Sequence, residues 1–363
     1  MILDPRTHGP DGRRRLRGLG LPVPGEPGPF NAITDVPGVS VGYRTLWDDT
    51  RFIRTGVTAV LPRPRADLLH PTWAGLFSMN GNGEMTGSHW VKEAGWFTAP
   101  ITITNTLSLG MAHHGTVRWM IERFAAVGPD LWLLPIAAET YDGWLNDIAG
   151  LHVTEADVAA AIDAATGGPL AEGNVGGGAG MIAYEFKGGT GTASRQVVTG
   201  GGRFTVGALV QANHGRRPWL TVCGVPVGEA MPEGAFRQKE TGSIIVIIAT
   251  DAPLMPNQLE RLARRASIGI GRAGTPSSNS SGDIFLAFST ANDPGPLPEP
   301  PRLSLTALGS DQLDPLFMAV VESVDEAILN AMLAAQTTLG PKGRRVEAID
   351  PDRLAELVLK ERG

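Results

Sequence analysis

One cysteine in 363 residues leaves nothing from which to build a disulfide framework or a thiolate metal site. That residue, Cys223, sits in the apolar stretch Leu220-Thr221-Val222-Cys223-Gly224-Val225 and reads as a small buried hydrophobe. No apolar run approaches membrane-spanning length, and the N-terminus lacks the apolar core of a signal peptide. The default expectation is a cytoplasmic protein. Charge of neither sign dominates: 31 basic against 37 acidic residues argues against nucleic acid or an anionic membrane as the main partner. Metal-ligand spacing is missing too, because the adjacent His113 and His114 point to different faces of a helix. Residues 187–195 are glycine-rich but lack the Gly-Lys-Ser/Thr ending of a phosphate loop. Gly269-Ile270-Gly271-Arg272-Ala273-Gly274 matches the dinucleotide fingerprint on paper, yet it follows a helical pattern instead of a strand. No metal or organic cofactor is expected.

What is present is glycine, 47 residues of it, with 28 prolines and a 42% hydrophobic content. That apolar share argues against disorder, so the glycines imply tight turns and close backbone approaches. Residues 1–30 are expected to be extended, with the Arg13-Arg14-Arg15-Leu16-Arg17 cluster docking on an acidic body. Two short strands about a Pro-Gly turn are expected at 33–41, and further strands at 55–61, 101–106, 131–137, 204–212 and 284–289. Helices are expected at 111–126, with Val117, Met120, Ile121 and Phe124 on its buried face, and at 154–165 behind a Thr154/Asp157 capping box. Another, capped by Asp251 or Asn257, should bury Leu259, Leu262, Ala263 and Ala266. A surface loop at 294–301 precedes helices at 313–335 and from Asp350-Pro351 onward.

The most telling stretch is Thr241-Gly242-Ser243-Ile244-Ile245-Val246-Ile247-Ile248. Five branched apolar residues in a row read as a strand buried on both faces, with Ser243 at its start. A hydroxyl there, preceded by a residue without a side chain, can reach the carbonyl behind it. Gly-Ser before a strand is also common turn chemistry. Other strand ends carry polar groups as well: Glu139 and Tyr141, Asn213, and Ser281 with Asp283. Together these are the inventory of a hydrolase that cuts itself at Gly242–Ser243. The freed α-amino group, with a pKa near about 8, could then act as base. Asn213 can donate to a tetrahedral oxyanion, as can Tyr141, and Glu139 suits a substrate ammonium.

These residues fall within longer motifs. They are Pro27-Gly28-Pro29-Phe30-Asn31-Ala32-Ile33-Thr34-Asp35-Val36-Pro37-Gly38-Val39, Gly81-Asn82-Gly83-Glu84-Met85-Thr86-Gly87, Glu139-Thr140-Tyr141-Asp142-Gly143, Gln211-Ala212-Asn213, Thr241-Gly242-Ser243-Ile244 and Ser281-Gly282-Asp283-Ile284, with residues 186–195 between. Through them nearly the whole chain resembles the self-processing aminopeptidases that include L-aminopeptidase/D-amidase-esterases and β-peptidyl aminopeptidases. The resemblance implies an α/β fold, a four-layer α-β-β-α sandwich similar to N-terminal nucleophile hydrolases but differently connected. It implies one catalytic domain over 1–363 that self-cleaves into 1–242 and 243–363.

Residue by residue, the resemblance makes Ser243 the nucleophile and Asn213 the oxyanion amide. Glu139 becomes the amine anchor, Tyr141 a supporting phenol, and Ser281 and Asp283 the residues that assist the nucleophile. Some β-peptide-cleaving members carry glutamate where this chain has Asp283, which leaves a preference for β-peptides open. The substrate expected is a short peptide, amino-acid amide or ester, and the two-chain unit is expected to form a homo-oligomer. Two alternatives remain at this point. One is an acetyltransferase of the ornithine acetyltransferase type, whose nucleophile is threonine. The other is an uncleaved paralogue that only binds amines or peptides.

Overall fold

The computed structural model describes residues 3–297 and 301–362. Its strands are β1 (Ser40–Asp48), β2 (Ile53–Leu61), β3 (Thr72–Gly81), β4 (Trp96–Phe97), β5 (Ile101–Asn105), β6 (Ala137–Thr140), β7 (Ile182–Ala183), β8 (Phe186–Lys187), β9 (Gly189–Thr199), β10 (Gly202–Asn213), β11 (Ser243–Thr250), β12 (Gly282–Ser289), β13 (Thr338–Leu339) and β14 (Arg345–Val346). The helices are α1 (Ser88–Ala94), α2 (Leu109–Arg123), α3 (Glu155–Asp163), α4 (Val227–Ala230), α5 (Pro256–Arg272), α6 (Asp314–Leu333) and α7 (Pro351–Arg362). One sheet runs β1-β2-β5-β6 and the other β4-β3-β12-β11-β10-β9, with β7/β8 and β13/β14 as small ribbons.

Side-chain alternation along β11 explains the layering. Ile244, Val246 and Ile248 pack toward α5 and α6, alongside Leu259, Leu262, Val320 and Val324. Ile245, Ile247 and Ala249 face the other way, onto Val41, Val60, Ile101 and Ile103 of the four-stranded sheet. The far side of that sheet packs Val57, Ala59 and Leu61 on Trp119, Met120, Val158 and Ile162 of α2 and α3. The layers are therefore helix, sheet, sheet, helix. Both faces of β11 are buried, so its run is continuous instead of alternating. At about 2 kcal/mol per fully buried branched side chain, that strand is a firm platform for whatever stands at its end.

Several expectations are corrected. Residues Ile33–Asp35 form a 3-10 turn, and a single strand begins at Ser40, so 33–41 is not a strand pair. The strand expected at 131–137 begins only at Ala137; Pro135 has no N–H for a ladder, and Trp132 is exposed. In α2 the buried face is Ala112, Gly115, Thr116, Trp119 and Met120, while Ile121 is exposed. Small residues win that face because α2 lies close on α3: a Cβ on Gly115 would stand 2.8 Å from Val158. Neither Asp251 nor Asn257 caps α5, whose first residue is Pro256; Asp251 instead accepts from the Thr205 amide at 2.7 Å. Strands β3 and β9 had no counterpart among the sequence expectations. Residues 298–300 of the expected surface loop lie outside the described residues. The basic arm does dock on acidic groups, with Arg15 bound to Glu172 at 2.7 Å and Arg17 to Glu326 at 3.1 Å. Among the described residues no helix is long and apolar enough to cross a membrane.

Candidate active site

Strand register brings the polar ends together. Ser243 pairs with Asn213 of antiparallel β10 on one side and with Gly282 of parallel β12 on the other. Sharing the parity of Ile245 and Ile247, its side chain points between the sheets at their open edge, only 7% exposed. The Gly282 amide donates to Ser243 Oγ at 3.3 Å. Glycine is required on either side. A Cβ on Gly242 would lie 1.9 Å from the Asn213 carbonyl oxygen, and one on Gly282 would lie 2.4 Å from that of Asn82. The Gly242–Ser243 bond is thus wedged against β10.

Asn213 is held at both ends of its amide. Its Oδ1 accepts from the Ile182 amide at 2.9 Å, and its Nδ2 donates to the Tyr141 carbonyl at 3.0 Å. The bond to Tyr141 ties the two sheets together at the mouth. It also leaves the second Nδ2 hydrogen uncommitted beside Ser243. Tyr141 itself is half exposed, its phenol folded over Gly143.

Glu139 enters from β6, which runs beside β5 with Thr104 opposite Glu139. Its Oε1 accepts from the Glu84 amide at 3.0 Å and its Oε2 from the Thr106 hydroxyl. Burial pushes its pKa up, against the pull of these two donors, and the Glu84 charge adds to the rise. Gly83 bridges the gap to the nucleophile: its Cβ position is 3.3 Å from Glu139 Oε1 and 3.2 Å from Gly282 Cα.

Ser281 and Asp283 are fully buried, and neither hydrogen-bonds to the Ser243 hydroxyl. Ser281 Oγ donates to Asp283 Oδ1 at 2.7 Å, and that oxygen also accepts from the Ile244 amide at 3.2 Å. The site therefore gathers all six expected side chains. Ser243, Asn213 and Glu139 stand at the ends of β11, β10 and β6, the Tyr141 carbonyl accepts from Asn213, and Ser281 with Asp283 braces the strand behind.

A family model described as peptidase family S58 matches residues 31–346. The chain belongs to peptidase family S58. It is 45% identical to the beta-peptidyl aminopeptidase BapA of Sphingosinicella microcystinivorans, over 96% of this chain and 92% of that protein. Among solved structures, the L-aminopeptidase D-Ala-esterase/amidase of Ochrobactrum anthropi superposes with a TM-score of 0.91 at 54% identity, covering 96% of this chain and 99% of that one. It is described as a prototype of the serine aminopeptidases and a variant of the Ntn hydrolase fold. A Burkholderia sp. beta-aminopeptidase matches at 0.89 and 48% identity, with 96% and 99% coverage. This S58 member is a hydrolase of the aminopeptidase class, and neither the acetyltransferase nor the binding-only alternative is favoured.

Some neighbours of the S58 site received no role from the sequence, although Glu84 lies within the Gly81–Gly87 motif. Thr106 and Glu84 cradle Glu139. Behind the cleavage point Glu240 accepts from the Gly215 amide, the Ser278 amide at 3.1 Å and Thr275 Oγ1 at 3.4 Å. His214 is buried edge-on to Tyr184, and burial lowers its pKa against the pull of Glu240 and Asp283. Sequence reasoning passed over His214 because no partner spacing marks it. Asp142 and Lys187 are buried nearby, and burial moves their pKa values toward each other, each to about 7.

Proposed function

We propose that this S58 hydrolase first cuts its own Gly242–Ser243 bond and then removes N-terminal residues from short peptides, amino-acid amides or esters. The observation that supports this reading is the placement of Ser243. It begins a strand buried on both faces, between Asn213 and Gly282, with Gly242 pressed against the neighbouring backbone.

In the precursor, Ser243 Oγ attacks the Gly242 carbonyl carbon. The C–N bond then breaks, leaving an ester between Gly242 and Ser243. Breaking that C–N bond frees the Ser243 amine, which takes up the hydroxyl proton; water then hydrolyses the ester to a Gly242 carboxylate and the Ser243 hydroxyl, giving chains 1–242 and 243–363. The new amine, with an ordinary pKa of about 8, takes the hydroxyl proton when Ser243 attacks a substrate. The uncommitted Nδ2–H of Asn213 meets the oxyanion, the leaving group departs with the proton, and water releases the acyl group. The half-exposed Tyr141 phenol is the second donor available to support the oxyanion.

Glu139 supplies the preference for a free amine. Its buried carboxylate has two neutral donors and, among the described residues, no cation, so a substrate ammonium is the partner its charge lacks. As pH falls through its raised pKa, the negative charge and hence the ammonium site are lost. The same two-chain unit is proposed to assemble as a homo-oligomer.

A panel of L-Ala, D-Ala and β-homo-aminoacyl p-nitroanilides, with N-acetylated counterparts, tests the reading. Glu139→Gln should raise KM for the free-amine substrates by about tenfold or more and leave the acetylated ones unchanged. Equal effects on both sets would remove Glu139 from amine recognition.

A further inference from the structure

The loop that enters β12, Thr275-Pro276-Ser277-Ser278-Asn279-Ser280-Ser281, holds a hydroxyl with two committed partners. Ser277 Oγ accepts from Asn80 Nδ2 at 2.6 Å, so its single hydrogen is directed at Asp283 Oδ2, to which it donates. The arrangement is built with effort. Ser277 has a φ of +60°, the left-handed region that non-glycine residues seldom enter. Asn80 Nδ2 also binds the Ser277 carbonyl at 3.0 Å, and the Ser277 amide donates to Thr275 Oγ1 at 3.1 Å. Asn80 stands opposite Asp283 because the β12/β3 register shifts between Asp283 and Ile284. Strained backbone held by several specific bonds marks a side chain whose position matters.

Ser277 completes the environment of Asp283. Oδ1 is held by Ser281 and the Ile244 amide, and Oδ2 by Ser277. The carboxylate lies one residue from the amine that cleavage would free on Ser243. Unrestrained, it would swing to that amine, stabilise the ammonium form and deprive the nucleophile of its base. Two hydroxyl donors disperse its charge and hold it back. Other ionisable groups packed around this corner are Glu240, Arg237, His214 and Tyr184 behind the strand, and Glu139 and Glu84 on the facing side. Among the described residues none of these hydrogen-bonds to Asp283.

We infer that Ser277 is a positioning residue that restrains Asp283 and thereby keeps the Ser243 amine neutral in the working pH range. The inference rests on the reading of Ser243 as an N-terminal nucleophile that uses its own amine as base.

The test is the pH profile of kcat/KM for the processed enzyme carrying Ser277→Gly or Ser277→Ala. Glycine relaxes the left-handed backbone, so Ser277→Gly should fold with an unchanged or higher Tm. Both variants lose the hydroxyl, and both should move the acidic limb upward by about half a unit to one unit. A limb that stays in place while kcat/KM falls uniformly, or a shift in Ser277→Ala alone, would overturn the role of Ser277. A wild-type profile with no limb in the range of an α-amine would instead sink the base assignment itself.

Discussion

Two buried polar clusters, one under the N-terminal arm and one behind the nucleophile, satisfy their charges very differently. Glu326 on α6 accepts from Asn31 at 2.6 Å and pairs with Arg195 at 2.7 Å and Arg17 at 3.1 Å. Burial pushes its pKa up, but Arg195, Arg17 and Arg15 pull harder, and the carboxyl ends below its ordinary value. Glu172 nearby stays raised by burial despite Arg15, so even this network carries strain. Around Ser243 the balance reverses. Among the described residues Glu139 has no cation, and its pKa is raised by burial. Both His214 nitrogens find no hydrogen-bond partner among those residues. Buried polar groups left without partners in a native fold call for an explanation, and catalysis is a frequent one. One cluster matches its carboxylates with arginines; among the described residues the other leaves Glu139 without such a partner.

Substituting matched residues in the two clusters sharpens the contrast. Glu326→Gln should cost about 3–5 kcal/mol of stability, because it strands Arg195 and Arg17 in the interior. Chemical denaturation measures this, and a loss below about 1 kcal/mol would show that the network is dispensable. The fraction that folds should keep its kcat. Asn213→Ala should do the converse, lowering kcat by about 10²–10³-fold with a modest change in Tm. A loss confined to KM would remove Asn213 from the oxyanion role.

The smallest effect has the opposite sign. Glu139→Gln should stabilise the fold slightly at pH 7, seen as a small rise in the denaturant midpoint. A carboxyl whose folded pKa is raised loses stability as pH rises from its ordinary value through the raised one. The gain should therefore vanish below about pH 3, under the ordinary glutamate value, where Glu139 is protonated in both states. Denaturant midpoints at the two pH values report it; destabilisation at pH 7 would mean that Thr106 and Glu84 satisfy Glu139 fully.

Much of this was legible in the residues. β11 announced itself because burial on both faces removes the polar alternation of an ordinary strand. Ser243, Asn213, Glu139, Tyr141, Ser281 and Asp283 were singled out because each sits at a strand end within a longer motif. What escaped did so for physical reasons. β9 opens Gly189-Thr190-Gly191, and these glycines are needed for contact: a Cβ on Gly191 would lie 2.0 Å from the Ala327 carbonyl oxygen of α6. Composition therefore disguised a strand as a loop. The face of α2 was misjudged because close helix packing selects small residues over large apolar ones. Ser277 escaped because its position depends on Asn80, almost two hundred residues away in the chain, which no local pattern encodes.

The central claim is that one residue cuts its own chain before it cuts a substrate. Intact-mass analysis of the purified protein tests it most directly. The account predicts two species meeting at Gly242/Ser243 from the native sequence, and one uncut, inactive chain from Ser243→Ala. A single 38.3 kDa species from the native sequence, or a Ser243→Ala chain that still splits, would contradict it.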